Sequence, residues 1–112
     1  MAFTSTFEMV NGVAKIKLAG ELDAAAAPTF RADVEKAAAA KAKNVALLMK
    51  DLEYMASAGL RALVFAKQKM GPQVNIYMIG AQEPVLETIT MTGFQNSVTF
   101  MDEYDAAKIE NV

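Results

Sequence analysis

The sequence has 112 residues, is 54% hydrophobic and carries a formal net charge of -2, which bounds one domain (residues 1–112) without a basic field for nucleic acid. It contains neither cysteine nor histidine, so disulfides, thiolate catalysis, zinc centres and a Ser-His-Asp hydrolase are excluded. No apolar run reaches roughly 18 residues and the N-terminus lacks a basic n-region and an apolar h-region, so a cytoplasmic protein without a membrane partner is expected.

Residues 2 to 10 alternate: Phe3, Ser5, Phe7 and Met9 fall on one face, Thr4, Thr6 and Glu8 on the other. That is a half-buried strand. Asn11-Gly12 predicts a type I′ hairpin turn. A second strand, Val13 to Ala19, points Ala14, Ile16 and Leu18 inward and leaves Lys15 and Lys17 wet. Pro28 opens a helix in which Phe30, Val34, Ala37 and Ala38 share a face, with Arg31, Asp33, Glu35 and Lys36 largely opposite.

Val45 to Met49 is a continuous apolar run, a strand over 44–50 buried on both faces. A polar loop is read from Lys50 to Ala56, followed by a helix from about Ala58 to Met70 with Leu60, Leu63, Val64 and Met70 inward. Gly71-Pro72 stops it. Val74, Ile76 and Met78 alternate as a further strand. Pro84 opens a helix with Val85, Leu86 and Ile89 inward, ended by Gly93. Ser97 to Met101 is a short last strand, and Asp102 is the candidate cap of a terminal helix, Glu103 to Ile109. Met49, Met70, Met78 and Met91 are read as core filler, Met55 as a surface residue.

The order β-β-α-β-α-β-α-β-α implies parallel pairing after the first hairpin. Alternation in most strands argues against a sheet covered on both sides. The fold class is therefore α/β: a mixed sheet with an N-terminal antiparallel hairpin and helices mainly on one face. Loops after parallel strands emerge at one edge of such a sheet, where sites are usually placed. That edge collects Asp23, the loop Asp51 to Ser57, and Gly80 to Glu83. Ser57, directly before an apolar helical segment, is either a helix N-cap or a place of covalent modification. Asp23 is an Asx turn or cap on the bland reading. A serine nucleophile would need a base, and only Lys50 offers itself, without supporting spacing.

Two motifs resemble the STAS domains, and within them the anti-sigma factor antagonists. Lys17-Leu18-Ala19-Gly20-Glu21-Leu22-Asp23, with Pro28 beyond, is similar to the family's strand-to-helix segment ending GELD. Asp51-Leu52-Glu53-Tyr54-Met55-Ala56-Ser57-Ala58-Gly59-Leu60 is similar to its phosphoacceptor loop, D-L-x-x-h-x-S-x-G-L with h apolar. Thr92-Gly93-Phe94 resembles a late family glycine. The likeness covers essentially the whole chain. At the position before the serine the family commonly has Asp or Ser, and this chain has Ala56.

The resemblance implies a bacterial partner-switching regulator rather than an enzyme. Its unphosphorylated form would bind an anti-sigma factor that is also a serine kinase, releasing a sigma factor. Phosphorylation at Ser57 would switch it off, and a serine phosphatase would reverse this. Asp23, Met55, Ala56, Ser57, Gly59 and Leu60 are the expected partner-binding residues, with no catalytic residue, no metal and no cofactor, and a monomer or weak dimer in solution. The alternative is a STAS scaffold or regulatory subunit of a stress-sensing complex or transporter that does not act on a sigma factor. A small carboxylate-dependent enzyme is the remote third reading.

Overall fold

The computed structural model describes residues 2–110. Its strands are β1 (Thr4–Val10), β2 (Val13–Leu22), β3 (Asn44–Met55), β4 (Asn75–Ile79) and β5 (Thr99–Met101). Its helices are α1 (Ala27–Ala39), α2 (Ser57–Met70), α3 (Glu83–Met91) and α4 (Ala106–Ile109), with a 3-10 turn at Phe94–Ser97. The sheet order is β1-β2-β3-β4-β5, antiparallel between the first two strands and parallel thereafter. Asn11 and Gly12 hold positive φ of 49° and 82°, the geometry a two-residue I′ hairpin needs, and Val10 lies opposite Val13.

Helices α1, α2 and α3 cover one face, packing with Ile16, Leu18, Leu47, Met49, Ile76 and Met78 into the main core. The other face is not simply wet. Val13, Ala46 and Ile79 bury there with Ile109 of α4, and Lys15 Nζ lies 4.0 Å from the centroid of the Tyr104 ring. Polar bonds fasten α4: Asn44 Nδ2 donates to the Ile109 carbonyl at 2.8 Å, and Asn11 Nδ2 and Tyr104 Oη donate to the Glu110 carboxylate at 2.7 and 2.6 Å.

Four expectations are corrected. Asp33, read as outward, is 6% exposed because it accepts a hydrogen bond from Ser5 Oγ of β1 and pairs with Lys36 Nζ at 3.3 Å. Met91, read as core, is 85% exposed. The terminal helix starts at Ala106, capped by Asp105, whose side chain accepts from the N–H groups of Ala107 and Lys108; Asp102 caps nothing there. The largest correction concerns Lys50 to Met55, which are strand and not loop.

That strand extension follows from β2, which runs on through Leu22 and carries the pairing with it. Register shifts by one residue between Lys17 and Ala19 and again between Gly20 and Glu21, so β3 holds two extra residues against β2. Such bulges break the alternation of an ordinary strand. Met49, Leu52 and Met55 are buried while the pairs between them, Lys50-Asp51 and Glu53-Tyr54, are exposed. Gly20 sits at φ +88 where a Cβ would run into the Ala2 backbone, so the second bulge needs a residue without one.

Candidate functional site

The C-terminal ends of β2 and β3 finish level with each other, Leu22 opposite Met55. The Ala56 N–H donates to the Leu22 carbonyl at 2.8 Å, so Asp23 and Ala56 leave the sheet side by side. Beyond Leu22 the Asp23 carboxylate accepts from the Ala26 N–H at 2.9 Å, an Asx turn that carries the chain towards α1. Beyond Met55 a single residue, Ala56, separates the strand from α2.

Gly59 locks the two junctions together. A Cβ there would lie 2.7 Å from Leu22 Cγ and 3.2 Å from Met55 Cγ. The first turn of α2 therefore rests directly on the last residues of both strands. From below, Thr88 of α3 donates its hydroxyl to the Met55 carbonyl at 3.0 Å. Leu22 and Met55 are fully buried and Leu60 is 5% exposed, which makes them the floor of the site.

On that floor Ser57 is exposed at the first position of α2. It is not the cap. Ala56 holds the N-cap position, with φ -80 and ψ 167, and no side chain caps the helix. The Leu60 N–H bonds to the Ala56 carbonyl at 3.1 Å, which leaves the N–H groups of Ser57, Ala58 and Gly59 as the free donors of the first turn. A hydroxyl thus stands beside unmet donors at the positive end of a 14-residue helix. That is a favourable seat for an anionic group attached to Ser57.

The surface around it differs from the one expected. Met55, Gly59 and Leu60 are buried, so the Met55 and Leu60 side chains and the Gly59 backbone lie beneath the exposed surface of the site. Asp23 and Ser57 are exposed and Ala56 is half-buried. Two residues the sequence reading left out join them. Tyr54 is 44% exposed, and Arg61, one helical turn after Ser57, is exposed on the same side of α2. The i, i+4 spacing was the legible signal for Arg61; Tyr54 was hidden by the bulge, which reverses the sides of strand and surface.

Gly80 to Glu83 does not reach this site. Ile79, the last residue of β4, pairs with Leu48, and Gln82 Nε2 donates to the Lys50 carbonyl at 2.8 Å. β3 runs five residues past Lys50, about 16 Å at the usual rise, so Gln82 meets the strand below its end at Met55, which only Thr88, further along α3, reaches. Among the described residues, no group of three or more acidic side chains is placed to share a metal ion, and no helix is long and apolar enough to cross a membrane.

The family model for the STAS domain matches residues 5–107 of the chain. Among solved structures, an anti-sigma factor antagonist from Mycobacterium paratuberculosis superposes with a TM-score of 0.83 at 22% identity, covering 95% of this chain and 91% of that one. The anti-sigma factor antagonist SpoIIAA in its unphosphorylated form gives 0.75 at 18% identity over 94% and 91%. The Bacillus cell fate determinant SpoIIAA in its phosphorylated form gives 0.69 at 17% identity over 94% and 95%. No curated protein matches the chain significantly by sequence.

Proposed function

The chain belongs to the STAS domain family, and from that premise we propose that it is an anti-sigma factor antagonist switched by phosphorylation of Ser57. In this reading it is a non-enzymatic cytoplasmic binding protein. The unphosphorylated form binds an anti-sigma factor with serine-kinase activity and so frees a sigma factor; a serine phosphatase resets it. The observation that carries the reading is Ser57 itself: exposed, first in its helix, and beside N–H groups that no side chain satisfies. The solved structures that superpose on this chain include an antagonist in its unphosphorylated form and a Bacillus relative in its phosphorylated form.

The physics of the switch is local. A phosphoryl group adds about -1.5 to -2 charges at pH 7. The first turn of α2 favours it by about 0.3–1 kcal/mol, and Arg61 lies at the i+4 position to receive it. Asp23, on the neighbouring junction, opposes it. These effects nearly cancel, so the fold stays as it is. At a docked surface the added charge faces a partner, and a like-charge juxtaposition there costs several kcal/mol, a loss of affinity of hundreds-fold or more.

The test has two parts. Incubation with ATP and a candidate anti-sigma kinase adds about 80 Da to the native protein and nothing to Ser57→Ala. The unmodified protein retains the anti-sigma factor in a pull-down and Ser57→Asp does not. Phosphate uptake that persists in Ser57→Ala moves the acceptor elsewhere, and undiminished binding by Ser57→Asp refutes the switch.

A further inference from the structure

β1 ends the sheet on one side, and among the described residues its outer edge faces no strand. The hairpin settles which backbone groups that edge presents. A two-residue turn is closed by a hydrogen-bonded pair, here Val10 with Val13, and such pairs alternate along an antiparallel ladder. Thr4, Thr6, Glu8 and Val10 therefore bond to β2, while the N–H and C=O groups of Ser5, Phe7 and Met9 point away from it. We propose that this edge pairs antiparallel with the same edge of a second copy of the chain, Phe7 opposite Phe7, in a weak two-fold dimer.

The register follows from self-complementarity. A two-fold axis at Phe7 sets Ser5 against Met9 of the second copy, Phe7 against Phe7 and Met9 against Ser5. All three outward residues then exchange both of their bonds, about six in all. An axis at Thr6 or at Glu8 pairs only two of the three within the strand, and the latter also sets the two Glu8 carboxylates face to face. The axis at Phe7 places Glu8 opposite Thr6 of the second copy, whose own neighbour on β2 is Lys17. Across the joined sheet the row reads Lys15, Glu8, then Thr6 and Lys17 of the second copy. Symmetry repeats that row, so each carboxylate lies between lysines. On the helix side, Lys36 stands near the edge with its charge offset by Asp33, the acceptor of Ser5.

The edge also lacks what keeps sheet edges apart. Natural edges are blunted by Lys, Pro, bulges or extreme shortness. β5, on the other side, has three residues. β1 has seven, without Lys, Arg or Pro and without a register shift against β2. Its apolar members are only partly covered: Phe7 is half-buried against the core and Met9 is 37% exposed. The interface is small. Seven residues extend about 23 Å, which puts the contact below the roughly 1,200 Å² of stable complexes and in the range of weak association. Pairing also closes the edge: the joined sheet ends in β5 on both sides, so association stops at two copies. Ser57 lies beyond the ends of β2 and β3, away from this edge, and the dimer forms whether or not it is modified.

Sedimentation equilibrium of the full chain from about 10 μM to about 1 mM shows the mass rising from 12.1 kDa towards twice that value. Over the same range, exchange of the Ser5, Phe7 and Met9 amides slows more than that of Thr4, Thr6 and Glu8, which are already bonded to β2. Thr6→Glu sets a carboxylate against Glu8 of the second copy at two places and weakens association by about tenfold or more. The fold tolerates it, because Thr6 is exposed and lies opposite Lys17. Adding Glu8→Lys restores association to within about threefold of native, since each new glutamate then faces a lysine. Met9→Pro deletes an outward N–H that β2 does not use, and it abolishes the dimer. A mass that stays at 12.1 kDa up to about 1 mM overturns the proposal. So does a dimer that Thr6→Glu leaves intact, or a loss that Glu8→Lys fails to reverse, since either places the contact elsewhere on the surface.

Discussion

Ala56 offers the sharpest test of how the first turn of α2 is built. Its backbone already has the extended N-cap geometry, φ -80 and ψ 167, and it is half-buried, so a hydroxyl added to its Cβ finds room and the right direction. Ala56→Ser supplies the acceptor that the N–H groups of Ala58 and Gly59 lack. Exchanging alanine for a capping residue is worth about 0.5–2 kcal/mol, typically about 1. At about 2.1 cal/mol/K per residue a domain of this size has an unfolding entropy near ~0.24 kcal/mol/K, so 1 kcal/mol raises Tm by about 4 °C. Differential scanning calorimetry of the two proteins measures this directly. Phosphorylation of Ser57 then adds a second arm: the phosphate gains more in the native protein, where the donors are vacant, than in Ala56→Ser, where the new hydroxyl competes for them. A variant no more stable than the native protein refutes the argument, because it means the donors already have acceptors.

Gly59→Ala relieves a helical glycine, worth about 1 kcal/mol, but drives a methyl into Leu22 and Met55, an overpacking cost of about 1–3 kcal/mol. Urea denaturation should show a net loss; a gain would mean that the two junctions yield easily. Asp33→Ala removes the acceptor of Ser5 and the partner of Lys36 and should lose about 1–3 kcal/mol in the same assay, with an unchanged midpoint counting against a structural role for this carboxylate. Bonds from Tyr104 and then Asn11 hold the Glu110 carboxyl below its usual range. The stability it contributes is present above its unfolded value, about 4.3, and lost as pH falls through the folded value. Tyr104 is pushed up, first by burial and then by Glu110, so its contribution persists below about 10 and fades as pH rises beyond. Protection of the α4 amides, taken relative to their intrinsic exchange rates, should therefore fall at both extremes, and Glu110→Gln should flatten the acid limb; an unaltered limb disproves the assignment.

Alternation and turn chemistry were enough to read the hairpin, the element order and the side on which α1, α2 and α3 lie. They failed where distant residues decide. Asp33 looks like a solvent-facing helix residue because its partner, Ser5, stands 28 positions away. Lys50 to Met55 looks like a loop because two bulges turn the two-residue period of a strand into a spacing of three between Met49, Leu52 and Met55. That error put Met55 on the surface and hid Tyr54. The serine at the head of α2 was legible from its place before an apolar helix. Its cap was not, because Ala56 takes the N-cap position without the side chain that marks one.

The sheet order also governs how the protein is made. Each strand lies beside the strand that precedes it in the chain, from β1 through β5. As the chain leaves the ribosome, every new strand finds its sheet neighbour already made, across a tight turn for β2 and across helix-containing crossovers of about twenty residues for β3, β4 and β5. The ladder that sets Leu22 against Met55, and the glycine contact above it, need nothing after α2. The platform under Ser57 is thus specified while β4, β5 and the clasp of α4 are still to be translated; Thr88 arrives afterwards to brace it from below. Truncations from the C-terminal side should loosen the α4 face of the sheet before they erode the serine platform.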